Sequence, residues 1–264
     1  SSDLLASSPQ LFTNNWEVTR LGLAELLPIA ILCLGLAISY LAWLGETRDA
    51  EQKLQGEFDF RIRELEHQIQ QTIAGYEQTL RGVAGLYAAS DQVSRQDFSA
   101  YLATLQLTET LPALQGVGFN QMVHDYAKKA HVAAMRQQGL SKYLITPDDQ
   151  RSIYAPVVYL EPHSALNILK IGYDAYSEPA LRAALEQARD SGQIAMSDAV
   201  MLKQPDGRQQ PTFVMYFPIY KKGLSLLNVD QRRDAITGWI TMSFRLKDLM
   251  ASVFQKQAAD IDIR

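Results

Sequence analysis

Nineteen consecutive residues without a charge, LLPIAILCLGLAISYLAWL (26–44), constrain this chain more than any other feature. At 1.5 Å per residue, a helix of that length covers about 28 Å, close to the roughly 30 Å hydrocarbon core of a bilayer. Trp16 upstream and Tyr40 and Trp43 downstream suit the two interfacial aromatic belts. Pro28 falls in the first turns, where a missing N–H costs little. The expectation is a transmembrane helix over 21–45, after an N-terminal segment 1–20. A cleaved signal peptide and a buried soluble helix are the alternatives. The mixed residues upstream and the lack of a small-x-small cleavage site count against the first. Orientation stays open. Arg20 alone is basic upstream, whereas Arg48, Lys53, Arg61 and Arg63 follow, and long translocated domains escape the positive-inside rule.

A helical stripe comes next. Leu54, Phe58, Ile62, Leu65, Ile69, Ile73, Tyr76, Leu80, Val83 and Tyr87 recur every three or four residues. The mean spacing of about 3.67 is nearer an 11-residue repeat than a heptad, so a strong left-handed supercoil is not indicated. The spacing predicts a stalk helix over 46–90. Its later part lies on a globular domain, and its membrane-proximal part pairs with a second subunit. Gly75, Gly82 and Gly85 weaken the later part and permit close approach of another backbone.

Beyond residue 90 the pattern is mixed. Residues 93–107 read as a helix with Ser94 as N-cap and Asp97 at the third helical position. LQGVGFNQMV reads as a strand, with Gly116 and Gly118 easing its start. HDYAKKAHVAAMRQQG reads as a helix stopped by Gly139. SIYAPVVYLEP is a strand broken at Pro162. SEPALRAALEQARDSG is a helix capped by Ser177, with Pro179 in its first turn and Gly192 at its stop. IAMSDAVML and TFVMYFPIY are strands joined by the turn QPDGRQQ. KKGLSLLNVDQRRDA (221–235) reads as a surface loop, and DAITGWITMSFRLKDLMASVF as a strand entering a helix. Consecutive strands after helices predict an antiparallel sheet with helices beside it, an α+β domain.

Chemistry-bearing motifs are sparse. With 25 basic against 29 acidic residues, the balance excludes a strongly basic nucleic-acid binder. The single Cys33 excludes an intrachain disulfide framework and a cysteine-based zinc site. His124 and His131 stand two turns apart on one expected helix, too far to share a metal. There is no G-x-S-x-G elbow, P-loop or G-x-G-x-x-G. No catalytic residue, metal or cofactor is expected. The strands are instead rich in Tyr154, Tyr159, Phe213, Met215, Tyr216, Phe217 and Tyr220. They build either an ordinary two-faced sheet or, collectively, the wall of a small-ligand pocket.

Read in order, several pieces resemble the CHASE domain family. They are YEQTLRGVAGLYAASDQVSRQDFSAYL (76–102), LPALQGVGFNQMV (111–123), YAPVVYLEP (154–162), IGYDAYSEPALRAALEQARDSG (171–192), FVMYFPIYKK (213–222) and GWITMSFRLKDLM. This family comprises extracytoplasmic sensor domains of membrane receptors, including plant cytokinin receptors, bacterial histidine kinases and cyclic-di-nucleotide enzymes. The resemblance implies a sensor domain over 91–264 made of two PAS-like subdomains. The distal one, roughly 110–222, takes a small molecule; the proximal one, roughly 223–264, is incomplete. It also implies a homodimer at the cytoplasmic membrane, with residues 46–264 outside it and any kinase or cyclase activity in a module beyond Arg264. Ser197 matches a threonine of the cytokinin-type members. Tyr154, Met215 and Phe217 fall on strands that line the family's site, and Asn167 and Asp174 flank the G-Y-D turn. Asp174 has a second reading, capping the helix after it or bracing a turn. No aspartate matches the cytokinin-type position, so adenine recognition is not implied. The competing expectation is a membrane-anchored dimerisation module without a small-molecule ligand.

Overall fold

The computed structural model describes residues 23–111, 113–203 and 209–252. The expected segment 1–20, most of the turn QPDGRQQ and the last residues of the expected proximal subdomain lie outside these. In chain order the elements are α1 (Leu23–Ala89), α2 (Arg95–Thr104), α3 (Leu107–Thr110), β1 (Leu114–Gln121), β2 (Val123–His124) and α4 (Lys128–Gln137). Then come β3 (Ile153–Tyr154), β4 (Val157–Glu161), α5 (Ala165–Ile168), α6 (Pro179–Ser191), β5 (Ala195–Met196), β6 (Val200–Lys203), β7 (Gln209–Tyr220), α7 (Val229–Ala235) and β8 (Ile236–Arg245). The chain divides between Arg63 and Glu64 into two compact units.

In the first unit, α1 carries its apolar side chains in the open: Ile31, Leu34, Ile38 and Leu41 are all about 60% exposed, as are Phe58 and Phe60. Among the described residues no helix is long and apolar enough to cross a membrane. The expected span 21–45 falls partly on side chains outside the description, among them those of 21–27.

In the second unit the stripe turns inward. Tyr76, Leu80 and Val83 are fully buried and join one core with Phe98, Leu102, Val117, Met215, Ile240, Met242 and Phe244. The later part of the expected stalk therefore lies on the domain, as its apolar spacing requires. Tyr101 reinforces this layer by donating its hydroxyl to the Gly82 carbonyl at 3.0 Å. Helix α2 starts on the expected cap: the Ser94 Oγ accepts from the Asp97 amide at 3.1 Å, and the Asp97 carboxylate accepts from the Ser94 amide at 3.0 Å.

Six antiparallel strands form one sheet in the order β4-β1-β8-β7-β5, with β6 also paired to β7. The architecture is α+β. Strand β8, inside the range expected for a separate proximal subdomain, is hydrogen-bonded between β1 and β7. The sheet is covered on both faces, which is why TFVMYFPIY is apolar throughout rather than alternating. Phe213, Met215, Phe217 and Ile219 meet the α1 layer. Val214 and Tyr216 join a second core with Trp239, Leu181, Ala184, Leu185 and Ala188. The alanines of α6 let its backbone close on the sheet, and the Trp239 indole N–H donates to the Leu185 carbonyl at 3.0 Å.

Several local expectations need correction. The N-cap of α6 is Glu178, with Pro179 at N1; Ser177 instead donates its hydroxyl to the Asp174 carbonyl at 2.6 Å. Gly192 ends α6 at φ +71° as expected. IAMSDAVML is two short strands, because Ser197 interrupts the ladder and its Oγ takes the Val214 amide at 3.1 Å. The expected loop 221–235 contains α7, which Asn228 caps through the Gln231 amide. Arg233 ties it to Asp190 of α6 through two bonds of 2.6 and 3.0 Å and holds that carboxyl well below its usual range. A polar seven-residue helix kept by such partners has no periodicity to read. His124 lies in β2 and His131 in α4, not on one helix.

Candidate functional site

Two of the six expected site residues, Tyr154 and Asp174, come together around Arg151. Gly172, at φ +89°, turns the chain after α5 and delivers Asp174 beneath Pro156. The Asp174 side chain is fully buried. Its Oδ1 accepts from the amides of Ala155 at 2.7 Å and Tyr176 at 3.1 Å, and its Oδ2 accepts from Arg151 Nη1 at 3.1 Å. Burial pushes this carboxyl up, and the two amides and Arg151 oppose the shift. The Tyr154 hydroxyl accepts from the Arg151 amide at 2.8 Å and faces Asp125 Oδ1 at 3.1 Å, while Lys128 Nζ stands 4.4 Å over its ring. Asp174 thus braces the turn at 172–177 against β3 and β4.

The other four lie elsewhere. Asn167, buried on α5, donates to the carbonyls of Gln115 at 3.1 Å and Pro162 at 3.0 Å. Ser197 is buried against β7. Met215 and Phe217 point into the α1 layer, where the Arg81 guanidinium stands 5.5 Å over the Phe217 ring. On the α6 side of β7 the side chains are Val214 and Tyr216.

The α6 side of the sheet contains residues that the sequence reading did not nominate. A Cβ on Gly118 would stand 3.1 Å from Thr241 Cγ2, and one on Gly116 would stand 3.1 Å from Asn167 Nδ2. Gly116 and Gly118, set opposite Ser243 and Thr241, admit close packing by β4, whose Leu160 Cδ1 would stand 3.1 and 3.0 Å from a Cβ at each. The G-x-G at 116–118 was the available signal, but strand register alone shows that β4 and Asn167 close over it.

An open cleft of about 1440 Å³ lies along the other side, lined by Tyr87, Phe119, His131, Tyr159 and Lys222 among others. None of the six expected residues lines it. Tyr87 stacks on Phe119 with centroids 4.7 Å apart, and its hydroxyl is buried without a hydrogen-bond partner among the described residues. His131 shares a 2.9 Å hydrogen bond with the Tyr143 hydroxyl, and burial lowers its pKa from 6.5 to about 4. A folded-state pKa depressed this way means that below pH 6.5 the unfolded chain takes up a proton that the folded chain refuses. Stability is lost as pH falls from 6.5 toward 4, by up to about 3 kcal/mol from this group. We expect His131→Asn to flatten the fall in denaturation midpoint between pH 7 and pH 4; parallel wild-type and variant curves would refute this.

A long helix laid along an antiparallel sheet defines an α+β domain. The chain belongs to the CHASE domain family, whose model matches residues 91–264. CHASE domains are extracytoplasmic sensor domains of membrane receptors, not enzymatic domains. Among solved structures, the chain is similar to the ligand-binding domain of the Pseudomonas aeruginosa PAO1 amino acid chemoreceptor PctC in complex with GABA. The identity is 13% and the TM-score 0.42, with 72% of this chain and 62% of that chain covered. This chain therefore spans less than two thirds of that domain. No curated protein matches it.

Proposed function

We propose that this protein is the extracytoplasmic ligand-sensing part of a membrane receptor. The family match over 91–264, on the residues that form the sheet, carries this reading. The uncharged stretch 26–44, with its apolar side chains in the open from Ile31 to Leu41, supports a membrane anchor. Phe58 and Ile62, both exposed on α1, support a homodimer through the membrane-proximal stalk. The ligand site lies on the α6 side of the sheet, in the distal subdomain, with Asn167, Asp174 and Ser197 in its walls and Tyr154 behind Asp174. Met215 and Phe217 act from the opposite face by holding β7 on α1. A ligand shifts such a receptor only through its different affinities for two states, and the paired stalks are the element that changes state.

The test is a thermal-shift screen of the full chain in detergent micelles against neutral and ionic metabolites. At about 100 times its Kd a ligand adds roughly 2.7 kcal/mol, a rise of several degrees in midpoint. At least one compound is expected to give it. A screen in which nothing raises the midpoint contradicts the reading and favours a dimerisation module.

A further inference from the structure

The open cleft of about 1440 Å³ on the α1 side of the sheet has no part in the ligand site proposed above. One of its walls is a face of α4. Ala127, Ala130, His131, Ala134 and Met135 line it at three- and four-residue steps, so one side of the helix meets the cleft, and does so largely with methyl groups. Another wall is aromatic and continuous. Tyr87 stacks on Phe119 at 4.7 Å, and Phe119 meets Tyr159 with centroids 6.2 Å apart. The space exceeds the about 300–1,000 Å³ of ordinary small-molecule sites, so a ring-bearing ligand has room in it.

The aromatic wall ends on a guanidinium. Arg95 lines the same cleft and is half-buried, with its Cζ 5.5 Å from the centre of the Tyr159 ring. Its Nη2 donates to the Val158 carbonyl at 3.0 Å, a neutral partner. Among the described residues no carboxylate pairs with it. Asp97 and Asp91, the acids that line the cleft, are turned to other groups. Asp97 accepts from the Ser94 amide at 3.0 Å and the Ser94 hydroxyl at 2.6 Å, and Asp91 pairs with Lys222 at 3.3 Å. The guanidinium therefore keeps further N–H donors, in the planar fork that matches a carboxylate. A charge partly drawn out of water without a counter-ion gains when an anion joins it.

We propose that this cleft is a second ligand site and that it takes a small aromatic acid. The carboxylate sits on the remaining N–H donors of Arg95, and the ring lies along Tyr159 and the alanine face of α4. The site is separate from the one on the α6 side of the sheet and does not rest on it.

The test is titration calorimetry of the full chain in detergent micelles, with the heat of empty micelles subtracted. The probes are benzoate and phenylacetate, each against its uncharged amide, benzamide and phenylacetamide. At least one acid is expected to bind, and its amide at least about tenfold more weakly, because the amide forfeits the charge-assisted bonds. Arg95→Gln is expected to weaken that acid by at least about tenfold as well. Arg95 also holds the Val158 carbonyl, so a second variant leaves it in place. Ala130 is exposed and lines the cleft, and Ala130→Trp is expected to abolish binding by filling the space while leaving the unfolding midpoint unchanged. If the acid binds either variant as it binds wild type, it sits elsewhere and the proposal falls. Equal binding of acid and amide, or no binding of either acid, also overturns it. The sensor reading survives each of these failures, because the metabolite screen tests it separately.

Discussion

Alanine in place of Asp174 is expected to lower stability by about 3–5 kcal/mol, a large part of the roughly 5–15 kcal/mol that holds a domain folded. The carboxylate answers three donors at once, the amides of Ala155 and Tyr176 and the Arg151 guanidinium. Both amides belong to buried residues, and each left without an acceptor costs about 1–3 kcal/mol. Asparagine keeps an acceptor for the two amides but turns its amide nitrogen, a donor, toward Arg151, losing that hydrogen bond and the charge, so Asp174→Asn is expected to cost less than alanine. Urea denaturation followed by circular dichroism reads both variants. Equal losses would mean that the ion pair, not the amide bracing, carries the energy.

The second large effect comes from Gly172→Ala. The residue sits at φ +89°, and a Cβ there would lie 2.0 Å from the Leu144 carbonyl oxygen. The backbone of the 172–177 turn must move, and with it Asp174, so we expect a loss of at least about 3 kcal/mol. Gly139→Ala is the control. Its φ is similar, +96°, but nothing lies within 4 Å of the added methyl, so only the backbone cost of about 1 kcal/mol is expected. Similar losses at the two glycines would refute the close contact at Leu144.

What the sequence made legible follows the range of the forces involved. The Ser94 cap, Pro179 at N1, Gly192 at the stop and the apolar stripe of α1 depend on neighbours within a turn or two, and they stand where local chemistry puts them. The strand 213–220 announced itself by composition, but not which of its faces meets α1. The Met215 and Phe217 side, expected at a pocket, is the side packed on α1, and Val214 and Tyr216 face α6. The role of Asp174 depends on Ala155 and Arg151, which only the folded chain brings to it. Strand β8 returns to the middle of the sheet between β1 and β7, a pairing that no local pattern in 236–245 announces. Helix α7 escaped for a different reason: its stability comes from Asp190 and Asn228 rather than from an apolar face.

The central claim, a sensor domain held outside the membrane, is tested most directly by labelling intact cells with a membrane-impermeant thiol reagent. Single cysteines would be placed at Ser2 and at the exposed Gln209 in a Cys33→Ser background. The account predicts labelling at Gln209 and none at Ser2. Labelling at Ser2 but not at Gln209 would place the domain in the cytoplasm and contradict it.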